Sequence, residues 1–443
     1  MERIRPTHPD YDQLRALFNS MIDRRPALIA RCANARDVTE ALGYARAWGF
    51  DVAVRSGGHS VAGSSVNNRG LVIDVRPMTG ITVDPAARTV RVGAGVTWGQ
   101  LDRATQAYGL ATTGGRDSTT GVVGLTLGGG SGWLERSFGL ACDSLVSVDL
   151  VTVDGREVVA SETENPELFW GLHGGGGNFG IVTAMELALR PLGPEVLAGL
   201  ALWPGDVGRD LATVYRDWAF TAPDALGSAL IFLTGRAEEL VPAHMQGVTL
   251  TAVAVLWAGT LDEGEDVLRP LRELRPEVDL IGPMQYTDLQ CMLDDPPGLR
   301  NYWTADHHDD FPDDALDVFV KYGFERPAPE TQQLLVPWGG AVARVPDDAT
   351  PLAHRDSAWV SHPFAMWKGA DLDDAAISWA RGFRRDIAAY ASGGVYLNFI
   401  GDEGDERIRA AYGPEKYARL ARLKAEWDPG NVLHGNQNIV PAT

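Results

Sequence analysis

The stretch Arg55-Ser56-Gly57-Gly58-His59-Ser60 carries the residue types and spacing that point most directly to chemistry. Two consecutive glycines between an arginine and two serines let a backbone approach a diphosphate closely, with N–H groups turned toward it. One histidine set into such a loop is then held against whatever the diphosphate carries. A second glycine-dense stretch runs from Gly114 to Gly132 and includes Gly128-Gly129-Gly130-Ser131-Gly132. A third is Gly174-Gly175-Gly176-Gly177-Asn178-Phe179-Gly180. Within it, Gly175-x-Gly177-x-x-Gly180 matches the dinucleotide fingerprint as a string, but that fingerprint should follow a strand and open a helix. Here a helix precedes it and a strand follows. Tight packing and close backbone approach to a ligand account for these glycines better.

Further candidates lie later in the chain. Tyr302, His307 and His308 fall in Asn301-Tyr302-Trp303-Thr304-Ala305-Asp306-His307-His308, and His362 in Val360-Ser361-His362-Pro363. Of these, Tyr302 and His362 are the candidates for touching a substrate. Trp257, Trp303, Trp359 and Trp367 suit an aromatic pocket or a packed core equally well. The pairs Asp294-Asp295 and Asp309-Asp310 lack a metal-ligand spacing and read as solvated, helix-capping acids, so no metal is expected. Cys32, Cys142 and Cys291 give neither a disulfide framework nor a CxxC zinc signature. They fit reduced thiols in a cytoplasmic protein.

The elements that must position these residues belong to a chain of 443 residues, too long for one typical core, so two domains are expected. An apolar share of 45% and a charged share of 22% argue against disorder. The net charge of −20 argues against nucleic acid and anionic membrane surfaces as partners. Neither the N-terminus nor any later stretch has an apolar run long enough to cross a bilayer.

In chain order, Tyr11 to Met21 has helical spacing. A strand at Leu28 to Ala30 leads to a helix capped by Asn34 and stopped by Gly49. Leu71 to Val75 is a strand, Ile81 to Val92 a hairpin about Asp84-Pro85, and Thr97 to Tyr108 a helix. Leu145 to Ala160 is a hairpin turning at Asp154-Gly155. Asn165-Pro166 opens a short helix, and Ile181 to Leu189 is a strand. After Pro191 to Pro194 come longer strands (Gly227 to Leu233, Val248 to Trp257, Gln332 to Val336). They alternate with helices at Leu261 to Leu274, Asp313 to Tyr322 and Asp371 to Tyr390. Glu415 to Trp427 is helical. The expected organisation is a cofactor half at 1–190, a substrate half at 191–400 and a tail at 401–443 that returns to the first half.

The combined order of motifs is more specific than any one of them. Arg-Ser-Gly-Gly-His is followed by Gly-x-x-Gly-Leu-Thr-Leu-Gly-Gly-Gly-x-Gly, Cys142-Asp143, Asp154-Gly155 and Asn165-Pro166-Glu167-Leu168-Phe169-Trp170. Then come Gly-Gly-Gly-Gly-Asn-Phe-Gly, Tyr396-Leu397-Asn398-Phe399 and Asn436-Gln437-Asn438. This order closely resembles the berberine-bridge-enzyme-like FAD-linked oxidases of the vanillyl-alcohol-oxidase, or PCMH-type, flavoprotein superfamily. The resemblance spans nearly the whole chain. It implies an α+β fold of two domains, a PCMH-type FAD-binding domain and a substrate domain built on an antiparallel sheet covered by helices.

The resemblance also assigns roles. It makes His59 the single covalent attachment point to the flavin 8α-methyl carbon. Members with two links carry a cysteine eleven residues before the first glycine of the Gly-Gly-Gly run, and here that position is Asp117. Cofactor contacts are implied at Arg55, Ser56, Gly57, Gly58 and Ser60 in the first loop. In the second they fall at Gly114, Asp117, Ser118, Gly121, Val122, Gly124, Leu127, Gly128 and Gly130. Asn178, Gly180, Val182, Tyr396, Asn398, Asn436 and Asn438 complete the set. Tyr396 matches the tyrosine of the family's Tyr-x-Asn motif and is the first choice to take a proton as hydride leaves the substrate for flavin N5. Its pKa of about 10 must then be lowered, or the tyrosine must act through a coupled proton transfer. Asn398, two residues on in a strand, would orient it. The implied activity is oxidation of a small molecule (an alcohol, sugar, amine or natural-product intermediate), with O2 reoxidising the flavin to give H2O2. A dehydrogenase with another acceptor and a flavin-bound cyclase are the alternatives. The oligomeric state is left open.

Overall fold

The computed structural model describes residues 1–237 and 241–443. Near the N-terminus, Leu28–Arg31, Leu71–Asp74 and Val52–Arg55 form a parallel sheet, with Glu2–Ile4 added antiparallel at its edge. The crossover helix Ala35–Trp48 buries Val38, Ala41, Leu42 and Ala45, one stripe at helical spacing. Asn34 Oδ1 accepts the Asp37 N–H at 3.0 Å, and Gly49 closes the helix at φ 65°. Val52–Arg55 then delivers the chain straight into Ser56-Gly57-Gly58-His59.

A second sheet holds five antiparallel strands in the order Ile81–Asp84, Thr89–Gly93, Ile181–Ala188, Leu145–Val151, Glu157–Ser161. Both expected hairpins are in it. The first turn is fixed by Asp84 Oδ1, which accepts the Ala86 and Ala87 N–H groups, each at 2.9 Å.

The third sheet is antiparallel throughout, with Glu195–Pro204, Thr249–Trp257, Leu226–Thr234, Gln332–Pro337, Trp359–Trp367 and Arg300–Trp303 as successive neighbours. Its central strands read as nearly unbroken apolar runs because both faces are covered. Leu230, Phe232, Val253 and Val255 pack under helices that include Gly208–Thr221, Asp313–Phe324 and Asp373–Ile387. Ala229, Ile231, Ala252 and Ala254 turn the other way, onto Trp133 and Leu134 of the glycine-rich region. The fold is α+β, with an antiparallel sheet covered by helices on its outer face.

Several local expectations change. The helix expected to Met21 ends at Arg15, and Phe18 to Ser20 run on as a strap of bends that enters a turn. Within the second glycine-dense stretch, Val122–Leu127 forms one short helix. Leu397–Phe399 is a 3₁₀ turn where a strand is expected. The last helix is longer, Asp405–Trp427, and breaks at Gly413, whose φ of 72° precedes Pro414. Past it, Leu433 and Ile439 join the same core as Ile73, Val148 and Ile181. Among the described residues no helix is long and apolar enough to cross a membrane.

One buried acid lies where the helix Trp98–Gln106 meets the helix Tyr286–Met292. Asp102, on the helix Trp98–Gln106, accepts from Gln290 Nε2 at 2.8 Å, and burial pushes its carboxyl up to about 7. A raised folded-state value means that the folded chain holds this proton more tightly. The stabilisation is complete below about pH 4 and is lost as pH rises toward 7. Asp102→Asn is therefore expected to melt higher than wild type at pH 8, by the equivalent of about 1–3 kcal/mol, with the gain gone at pH 4. Thermal melts at the two pH values check it.

Candidate active site

A cavity of about 360 Å³ runs between the glycine loops, the inner face of the third sheet and the C-terminal segment. Ser56, Gly57, Gly58, His59 and Ser60 line it from the first loop, and Asp117, Gly121, Gly124, Leu127 and Gly128 from the second. Gly180 and Val182 come from the start of Ile181–Ala188 and its preceding turn. Asn398 and Asn436 come from the C-terminal part, and Gln332, Leu334, His362 and Phe364 from the sheet. The two loops touch: a Cβ on Gly57 would lie 2.3 Å from the Gly121 nitrogen, so neither can carry a side chain there.

His59 is held on three sides. Phe18 stacks on its ring with centroids 4.3 Å apart. Its Nε2 lies 2.7 Å from Thr119 Oγ1, which donates to Asp117 Oδ1 at 2.6 Å, and its Nδ1 lies 3.2 Å from Thr120 Oγ1. Burial lowers the imidazole pKa below its ordinary value against the opposing pull of Asp117. The ring is neutral at pH 7.

His362 sits on Trp359–Trp367, its ring flat on Phe399 at 4.4 Å and edge-on to Trp303 at 5.8 Å. Its Nδ1 lies 2.8 Å from the Thr304 carbonyl, which can only accept, so Nδ1 carries the hydrogen. Nε2 is left with a lone pair, buried in the cavity wall without a partner. Burial drives this histidine down to about 4.

Other expected site residues lie elsewhere. Tyr396 does not border the cavity: its hydroxyl accepts the Gly130 and Ser131 N–H groups at 2.8 and 2.6 Å and Asn398 Nδ2 at 3.2 Å. Burial outweighs these donors and holds the phenol above its ordinary pKa, so a lowered phenol pKa is not what this surrounding gives. Asn398 meets it through the 3₁₀ turn and also donates to the Leu125 carbonyl at 3.0 Å. Tyr302 faces outward, its hydroxyl receiving from Arg381 at 3.1 Å, because strand alternation sends the neighbouring Trp303 into the cavity instead.

In the first loop, Arg55 turns its guanidinium onto the Leu14 and Ala16 carbonyls, and burial lowers it to about 10. Ser118 is taken up by Asp294 at 2.6 Å. Gly114 packs under Trp98, Gly130 against Ala141, and Val122 in the core. None of these five lines the cavity.

Asn178 and Asn438 also stand behind the wall. Asn178 ties the third glycine stretch to the tail, donating to Gly175 and Gln437 carbonyls at 2.8 and 3.1 Å while accepting from the Ile439 N–H at 3.1 Å. Its carbonyl receives Lys424 Nζ at 2.8 Å, and Lys424 forms a fully buried ion pair with Asp428 at 2.6 Å. His307 and His308 lie off the cavity, His308 bridging Tyr390 and Ser361. Phe18, Gln332 and Phe364 line the cavity without any local pattern that marks them.

These residues fit a flavin. Gly124 has nothing within 4 Å of the place where a Cβ would project, leaving room for a flat ring. Asn436 Oδ1 is buried without a partner at the cavity and suits a ring N–H. Glycine backbone and serine hydroxyls, rather than the arginine, would meet the diphosphate.

Comparison with known proteins agrees. A family model described as FAD binding domain matches residues 26–161, and one described as berberine and berberine like matches residues 395–440. The (R)-6-hydroxynicotine oxidase of Paenarthrobacter nicotinovorans is 32% identical over 470 residues, covering 99% of this chain and 96% of that protein. An uncharacterized FAD-linked oxidoreductase of Bacillus subtilis is 30% identical over 446 residues, covering 98% and 95%. The crystal structure of 6-hydroxy-D-nicotine oxidase from Arthrobacter nicotinovorans matches with a TM-score of 0.89 at 30% identity, covering 100% of this chain and 98% of that one.

Proposed function

The chain belongs to the FAD-linked oxidoreductases that carry an FAD-binding domain and a berberine-like C-terminal segment, and on that premise we propose that it is an oxidase of a small organic molecule. The flavin would be bonded to His59 alone, and His362 would take the substrate proton. The observation that carries this reading is the buried, unpartnered Nε2 of His362, on a residue that lines the cavity the glycine loops border.

Bound FAD supplies two-electron acceptance and, through O2, its own reoxidation with H2O2 release. The protein's residues do the rest. Trp303, Leu334, Val336 and Phe364 exclude water and receive an apolar body. Gln332 offers the substrate a hydrogen-bonding amide at the same wall. His362 Nε2 accepts a proton from a substrate O–H or N–H, or from a C–H carbon beside one, and its Nδ1–H stays fixed on the Thr304 carbonyl. Asn398 and Tyr396 support the second glycine loop from behind. A small alcohol, sugar, amine or natural-product intermediate fits this description. The similarity to a hydroxynicotine oxidase favours an amine with an aromatic ring.

Anaerobic addition of a panel of such compounds tests the reading. A true substrate bleaches the yellow flavin, and admitting air restores the colour with stoichiometric peroxide. Bleaching without recovery in air would point to a dehydrogenase using another acceptor. Binding with no bleaching by any compound would point to a cyclase.

A further inference from the structure

We propose that Thr119 and Asp117 form a proton relay through which the chain bonds its own flavin to His59. The proposal rests on the reading of His59 as the attachment point. Asp117, as a carboxylate, can only accept, so the Thr119 hydroxyl points its single hydrogen at Asp117 Oδ1, 2.6 Å away. Its lone pair must then receive the hydrogen of His59 Nε2 at 2.7 Å. This leaves the lone pair of His59 on Nδ1, whose neighbour is the Thr120 hydroxyl at 3.2 Å, itself on the cavity wall. The relay is held rigidly. The Thr119 backbone N–H also donates to Asp117 Oδ1 at 2.8 Å, and the Asp295 N–H approaches Asp117 Oδ2 at 3.4 Å. Phe18 fixes the ring plane.

The step balances as follows. Nδ1 bonds to the flavin 8α-methyl carbon, which gives up one hydrogen as a proton while an electron pair enters the ring system. Dioxygen takes that pair with two protons as hydrogen peroxide. An imidazole substituted on Nδ1 and still protonated on Nε2 would carry a positive charge in a half-buried site, a costly arrangement. Passing the Nε2 proton to Thr119 Oγ1, and the Thr119 proton to Asp117, removes that charge as the bond forms. Asp117 is in this sense a positioning and proton-accepting residue for attachment, separate from the oxidation of substrate at His362.

The test uses full-length protein as purified, incubated with FAD in air, and reads the ratio of acid-stable to total bound flavin over time. Wild type should approach complete attachment. Asp117→Asn and Thr119→Val should each attach about 10²-fold more slowly, the low end for positioned proton transfer, and Thr119→Ser should recover the wild-type rate. Using the ratio removes any change in how much flavin binds. Asp117→Asn and Thr119→Val attaching as fast as wild type would overturn the relay while leaving the His59 link standing. A slow Asp117→Asn with a normal Thr119→Val would also overturn it, since the carboxylate would not act through the hydroxyl. If wild type itself released all its flavin in acid, the link would be lost and the relay with it. The Thr119 pair leaves every carboxylate in place and decides the matter alone if Asp117→Asn takes up no flavin.

Discussion

Replacing His59 with alanine is expected to reduce acid-stable flavin to background. Wild-type protein precipitated in acid should stay yellow, with the flavin mass on the peptide that contains residue 59. The variant should release whatever FAD it holds. The glycine loops keep their shape in the variant, because Gly57 and Gly121 meet through backbone rather than through the imidazole. Non-covalent FAD should therefore still bind, with a modest loss of stability of about 0.5–1.5 kcal/mol from the missing stack with Phe18. Turnover should fall as well, since a covalent link at this histidine would raise the flavin's affinity for electrons. Each 1.4 kcal/mol of driving force lost to the transition state costs roughly tenfold. A variant that kept acid-stable flavin would place the bond on another residue. A colourless wild-type protein that took up no FAD would remove the basis of the whole functional reading.

Replacing His362 with glutamine should cut kcat by about 10²–10⁴-fold while leaving flavin content and its acid stability unchanged. Glutamine keeps a donor for the Thr304 carbonyl but offers no basic nitrogen to the cavity. The pH profile has a defined sign. Burial favours the neutral ring and sets its value at about 4. Wild-type kcat/KM should be flat with respect to this group above pH 5 and should fall as pH drops through 4. The same shift gives a stability term that is present above the unfolded value of about 6.5 and is lost as pH falls toward 4. Tyr396→Phe makes the contrast. It leaves the Gly130 and Ser131 N–H groups buried without their acceptor, so it should loosen flavin binding and lower Tm before it touches the proton-transfer step. If His362→Gln turned over within a few-fold of wild type while Tyr396→Phe lost kcat alone, the proton would go to the tyrosine.

Much of the frame was legible in the order of residues because it is written in backbone demands. Asn34 with Gly49, Asp84-Pro85, Asp154-Gly155 and Asn165-Pro166 each fix a turn or a helix end locally, and each lies where its type requires. The glycine loops are legible for the same reason. What could not be read is which side of a strand faces inward. Tyr302 and Trp303 are adjacent and similar in character, and only the register of Arg300–Trp303 on Trp359–Trp367 decides that the tryptophan enters the cavity. The placement of Tyr396 falls in the same gap. Its motif is correct, but a 3₁₀ turn after it aims the phenol at the glycine loop rather than across the cavity. Arg55 is a comparable case: a cation beside a phosphate-type loop is drawn away by two carbonyls, Leu14 and Ala16, from a segment with no sequence signal of its own. Phe18, in that same segment, gives no hint that it will lie on His59.

The strap that holds Phe18 has a mechanical consequence. The Phe18 N–H donates to the Gly58 carbonyl, and Asn19 Nδ2 donates to both the Val61 and Asn301 carbonyls. The Ser20 N–H donates to the Leu299 carbonyl, and Asn19 Oδ1 receives the Asn301 N–H. A few consecutive residues thus stitch the loop carrying the histidine to the strand carrying Trp303. The loop and that strand cannot separate without unpicking the seam. Parting them would cost those hydrogen bonds, each contributing about 0.5–1.5 kcal/mol, so the stacked Phe18 and the histidine it covers stay registered against the strand that carries Trp303.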